Sequence, residues 1–151
     1  MKYSRERPGV GQNKMNTQTY SCFPDGPEVR HIWDVPRLWD LSSVLDVFDF
    51  NISKFSGMDI DMWFCDVHIP TVRNVYEHCM RIQNASLDYP IILAPNGFVL
   101  DGVHRLLKAK TLGHTTVKAV QFKIMPQVDR TEKVATKPDN TKTIKVLARN
   151  K

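Results

Sequence analysis

The residues best suited to chemistry are Asp101, Gly102, Val103, His104 and Arg105, five consecutive positions that set two acid–base side chains and a forked cation around one glycine. They stand where an apolar run, Phe98 to Leu100, gives way to helical periodicity from about Val103 to Leu112, so they should form the first turn of a helix after a strand. The first N–H groups of a helix lack internal partners and carry the positive end of its dipole, so such a turn can hold phosphate oxygens through backbone alone. Gly102 and Val103 would present that backbone, the glycine letting a ligand come close. Arg105 could add a charge-assisted contact, and His104 could donate to a phosphate or exchange a proton as acid or base. Asp101 is an anion beside an anion site, which makes sense if it holds a Mg²⁺ ion or acts as a base. Without metal it should cap the helix.

Other residues are weaker candidates. Thr71 and Arg73 sit near the start of a second helix and could reach the same phosphate. Asp59, Asp61 and Asp66 form a loose acidic group, but a hard-metal site needs oxygens that converge, so solvated loop acids are the plainer reading. His68 and His78 lack a third spaced partner for a metal and read as a helix cap and a helix-surface side chain. Arg81 suits an exposed ion pair. Trp33, Trp39 and Trp63 could stack on a base, yet among apolar neighbours they read as core.

The elements that must position these groups follow from periodicity and turn chemistry. Residues 1–28 mix Pro8, Gly9, Gly11, Pro24, Gly26 and Pro27 with polar positions and read as an irregular lead-in. The domain should span residues 29–126. Val29 to Trp33 forms a strand; Asp34 should cap a helix that has Pro36 in its first turn and an inward face of Leu38, Leu41, Val44, Leu45 and Phe48. From Pro70, the three- and four-residue steps of Val72, Val75, Tyr76, Cys79 and Ile82 predict a helix whose apolar face covers a sheet. Ile91 to Ala94 and Phe98 to Leu100 flank Pro95-Asn96-Gly97 and should make a hairpin. Gly113 suits the left-handed end of the next helix, and Thr115 to Phe122 is β-branched enough to return as a strand. Residues 127–151 read as a basic polar tail, with Thr143 to Leu147 a marginal strand. The fold class is therefore α/β of the α+β kind: one small domain with a mixed sheet and flanking helices.

Composition limits the functions such a domain can have. A 151-residue chain with 42% hydrophobic residues suits one core, and its apolar runs are far too short to span a membrane. Lys2, Arg5 and Arg7 are not followed by an apolar stretch, so a cytoplasmic location is expected. Cys22, Cys65 and Cys79 include no Cys-x-x-Cys pair, which argues for reduced thiols over a disulfide framework or a thiolate zinc site. The net charge of +5 resides in the end segments, since residues 29–126 balance ten basic against ten acidic side chains. A basic tail over 127–151 could attach to nucleic acid, but no basic face is indicated in the domain itself.

Tyr89-Pro90-Ile91-Ile92-Leu93, then Val99-Leu100-Asp101-Gly102-Val103-His104-Arg105, Lys108-Ala109, Leu112-Gly113 and Val117 to Val120 resemble the phosphate-binding core of the ParB/sulfiredoxin superfamily. The resemblance extends less specifically to Trp33-Asp34-Val35-Pro36-Arg37-Leu38 and Pro70-Thr71-Val72-Arg73, as in stand-alone ParB-like proteins. It implies a ParB/sulfiredoxin-like fold that binds ATP or a related nucleotide through Asp101, Gly102, His104 and Arg105, with Mg²⁺ and with phosphotransfer or nucleotide hydrolysis as the natural chemistry. Two departures narrow it. Sulfiredoxins place a reactive cysteine directly before His-Arg, where this chain has Val103, so sulfinic acid reduction is not expected. Partitioning proteins continue into a helix-turn-helix DNA reader, for which residues after Met125 lack the periodicity. The rival readings are a non-catalytic adaptor for nucleic acid or protein and a metal-dependent ParB-like nuclease.

Overall fold

The computed structural model describes residues 18–64 and 69–134. In chain order these hold β1 (Thr19–Cys22), β2 (Val29–Asp34), α1 (Val35–Ser42), β3 (Phe48–Asn51), a single 3-10 turn at Ile52–Lys54, α2 (Val72–Asn84), β4 (Ile91–Leu93), β5 (Val99–Asp101), α3 (Val103–Thr111), β6 (Thr116–Gln121) and β7 (Arg130–Lys133). The result is a small α+β domain with two sheets, one antiparallel and one mixed.

The mixed sheet has the order β3-β6-β4-β5. One side of it is the hairpin expected from Pro95-Asn96-Gly97, with β5 at the edge: Gly97 takes a left-handed φ of 85°, Asn96 Oδ1 accepts from Phe98 N, and β4 runs antiparallel to β5. The chain then crosses through α3 and returns as β6, parallel to β4. Alternation along the strands separates two apolar layers. Ile91, Leu93, Val99, Val117 and Ala119 meet Leu106 and Ala109 of α3 on one face, whereas Ile92, Leu100, Val120 and Phe122 meet Trp33 and Leu38 on the other. α3 ends as Gly113 predicts, at φ 83°, with His114 N bonding back to Ala109 O.

The second sheet, β1-β2-β7, enlarges the domain beyond the expected 29–126 span. β1 comes from the stretch read as irregular and β7 from the stretch read as a tail; both pair antiparallel with β2. Four residues of alternating exposure give too short a signal to outweigh the nearby prolines and glycines. Thr143 to Leu147 lies outside the described residues. Asp34 begins α1 but makes no side-chain cap; its carboxylate accepts from Arg130, and α1 stops at Ser42, leaving Leu41 and Val44 exposed.

α2 corrects a second expectation. Its apolar stripe does not cover a sheet: Val72 is 88% and Tyr76 61% exposed, and no residue of the helix is buried. α2 packs instead on α3, with His78 meeting His104, and its half-buried residues are Asn74, His78, Met80 and Ile82. Among the described residues no helix is long and apolar enough to cross a membrane.

Candidate functional site

α3 starts on Gly102, whose φ of 106° turns the chain sharply out of β5. No side chain caps this helix, and the first intrahelical bond runs from Leu106 N to Gly102 O. The N–H groups of Val103, His104 and Arg105 therefore precede the helical ladder, the arrangement expected from the sequence. The glycine itself answers to the core. A Cβ there would lie 2.7 Å from Ile91 Cγ2 and 3.0 Å from Arg105 Nη1, in a backbone conformation that L-residues avoid. Gly102 thus admits its own neighbours Ile91 and Arg105 to close approach.

Arg105 is placed differently from the expectation that its fork faces a phosphate. Its Nε donates to Ser86 O at 3.0 Å and its Nη1 to Pro90 O at 2.9 Å, which ties the first turn of α3 to the α2–β4 connection. Lys108 repeats the device one turn later, its Nζ donating to Ala85 O. The carbonyls before Ile91 have no strand partners to take them, so two cations of α3 do.

Asp101 is 8% exposed, and both its oxygens accept N–H donors: Oδ2 from Trp39 Nε1 at 2.8 Å and Oδ1 from Gln18 Nε2 at 3.3 Å. It joins β5 to α1 and to the start of β1 and does not cap α3. As a Mg²⁺ ligand it fits poorly on its own. Among the described residues no group of three or more His, Cys, Asp or Glu side chains gathers to complete an oxygen-rich shell.

His104 forms the unexpected part of the site. Its Nε2 lies 2.8 Å from Nδ1 of His78 on α2, and the two ring planes are within 12° of parallel. Trp63 covers both, at centroid distances of 4.1 Å from His78 and 4.9 Å from His104, while Phe64 meets His78 edge-on. Burial first, then His78 and Arg81, push His104 down to about 4 against the pull of Asp101. Burial and Arg81 lower His78 as well, opposed by Glu77. Both imidazoles are neutral at physiological pH. Asp61 holds Trp63 in place, its Oδ1 accepting from Trp63 N and Phe64 N.

The other face of this loop walls an apolar cleft of about 120 Å³, lined by Phe55, Met58, Met62, Trp63, Val103 and Leu107 among others. Val103 thereby contributes a backbone N–H to the helix start and a side chain to the cleft.

Thr71 and Arg73 stand apart from this cluster. Thr71 Oγ1 accepts from Asn74 N while Asn74 Oδ1 accepts from Thr71 N, so the start of α2 is closed by its own capping box. Thr71 lies seven residues, about 10 Å of helix, from His78. Arg73 is exposed in the first turn of α2. Asp66 and His68, with Cys65, fall outside the described residues. Of the tryptophans, Trp33 is core, Trp39 binds Asp101, and Trp63 belongs to the site. His78, read as a helix-surface side chain, and Trp63, read as core, instead meet His104, and no local signal in the sequence joins the three. Comparison with protein-family models, with curated proteins and with solved structures finds no match to this chain.

Proposed function

We propose that the protein binds a nucleotide-type ligand, ATP or a relative, with its phosphates on the first turn of α3. The observation that carries this reading is an uncapped helix start opening beside an apolar cleft, with Val103 in both. Helix N–H groups and dipole suit phosphate. Thioethers and aromatic rings suit the flat face of a base. The ParB/sulfiredoxin-like resemblance of Asp101 to Arg105 points the same way. In this reading the backbone of Val103, His104 and Arg105 does the binding, with the Arg105 side chain as the strut that holds the turn. Mg²⁺ would accompany the phosphates, and phosphotransfer or hydrolysis would be the associated chemistry. Among the described residues the lining side chains offer no charged or amide group to a base edge, so base selectivity should be weak.

Calorimetric titration with ATP, ADP, CTP and GTP, each with and without Mg²⁺, tests the proposal beside inorganic triphosphate and a short DNA duplex. Nucleotides should bind more tightly than triphosphate, and Met58→Glu, at an exposed position of the cleft, should erase that advantage without lowering the melt. Binding of none of the nucleotides below about 1 mM would remove the reading. A duplex bound more tightly than any nucleotide would favour the nucleic-acid adaptor.

A further inference from the structure

The His78–His104 contact has two proton arrangements. In the first, His104 Nε2–H donates to His78 Nδ1, leaving a lone pair on His104 Nδ1 and a proton on His78 Nε2. In the second, His78 Nδ1–H donates to His104 Nε2, leaving a proton on His104 Nδ1 and a lone pair on His78 Nε2. The near-parallel rings and the 2.8 Å separation suit either arrangement.

We propose that His78 and His104 form one proton-relay unit, in which His104 exchanges a proton with a ligand at the first turn of α3 and His78 passes that proton to or from solvent. A proton taken up at His104 Nδ1 sends the shared proton from His104 Nε2 to His78 Nδ1 and releases one from His78 Nε2. One proton enters and one leaves, and the pair is neutral before and after. The reverse sequence delivers a proton to the ligand. The three flanking features each serve this use. Trp63 lies over both rings and shields one face of the pair from water. Among the described residues, Arg81 and Glu77 on α2 and Asp101 at the end of β5 are the charged groups that act on the pair, and burial with Arg81 outweighs the two acids in keeping both rings uncharged. His78 is half-buried on a helix without a single buried residue, which suits it to the solvent end of the relay. Two neutral rings can thus act as a base without storing a cation beside Arg81. The relay itself follows from this geometry; its use toward a ligand rests on the phosphate-binding reading above.

Ring-nitrogen NMR of the ¹⁵N-labelled full chain between pH 4 and 8 separates the two parts. The expected result is that His104 stays neutral until close to pH 4 and that one nitrogen of each ring carries a hydrogen-bonded shift. His78→Phe, which keeps an aromatic ring under Trp63, should change the tautomer balance of His104. His78→Asn, whose amide can stand in for Nδ1, should restore it. Independent titration of both rings near 6.5 in the parent, or His104 shifts indifferent to His78→Phe, would overturn the relay. Addition of Mg-ATP should then perturb His104 Nδ1. Binding without that perturbation would overturn the ligand-facing role, whereas no binding would defeat the phosphate reading and leave the relay standing on the pH titration.

Discussion

Replacing Arg105 by alanine should cost folding stability, contrary to the effect expected of an arginine aimed at a ligand. The guanidinium donates to Ser86 O and to Pro90 O, and Pro90 is buried. Hydrogen bonds from a charged donor contribute roughly 1.5 to 3 kcal/mol each, and leaving the Pro90 carbonyl unpaired carries a desolvation cost of similar size. The Ser86 contact is exposed and contributes less, which gives about 2 to 4 kcal/mol in all. For a domain of this size that corresponds to a melting shift of about 5 to 15 °C. Urea denaturation followed by circular dichroism, with the slope unchanged, measures it. Arg105→Lys should recover under half of the loss, since one ammonium cannot fork between two carbonyls. Arg73→Ala, on the exposed first turn of α2, serves as the control and should stay within about 0.5 kcal/mol of the parent. An Arg105→Ala midpoint equal to that of Arg73→Ala would show that the clamp contributes nothing and would return Arg105 to the list of ligand-binding side chains.

Gly102→Ala should destabilise by about 2 to 5 kcal/mol, combining left-handed backbone strain with the clash against Ile91, whereas Gly97→Ala, with a positive φ but open space, should lose only about 1 to 2 kcal/mol; paired urea melts compare them. Trp39→Phe removes a donor from the buried Asp101 carboxylate and should cost about 1 to 3 kcal/mol, with a smaller loss in an Asp101→Asn background, as a double-mutant cycle will read. Thr71→Ala breaks the capping box of α2 and should cost about 0.5 to 2 kcal/mol in the same assay. Because the folded pKa of His104 is depressed to about 4, the unfolded chain binds its proton first as pH falls; stability should therefore decline between about pH 6.5 and 4, and Trp63→Ala, by admitting water to both rings, should flatten that decline in pH-dependent melts.

Sequence reading succeeded where the signal is local. Pro95-Asn96-Gly97 dictates a hairpin, Gly113 a helix end, and Asp101-Gly102 a turn into α3, because each sets backbone angles within a few residues. Direction across the fold was not legible. Arg105 was read against its neighbours, but its acceptors lie 15 and 19 residues upstream. His104 meets a partner 26 positions away, and Asp34 turns from its own helix to an arginine 96 positions away. Hydrophobicity alone misdirects the inward face of α2, whose apolar stripe stays largely exposed while a histidine meets α3. The start of α3 was therefore legible, lying where Asp101 to Arg105 put it, whereas the contacts of Trp63 and His78 with His104 arise only through tertiary packing.

The pairing of β1 and β7 on either side of β2 has a bearing on how the chain is made. Residues 19–34 and 130–133 are about a hundred positions apart, and such distant pairings are slow to find. During synthesis the β1–β2 hairpin can form early, and the mixed sheet can assemble once β6 has emerged. The free edge of β2 must nevertheless wait for the last strand, exposing unpaired backbone from Val29 to Ile32 for as long as the intervening hundred residues take to translate. That interval is several seconds at ordinary elongation rates of about 5 to 20 residues per second. Arg30, which ends in an ion pair with Glu132 of the arriving strand, carries a positive charge on that open edge throughout the wait, and charge of this kind discourages pairing with a neighbouring nascent chain.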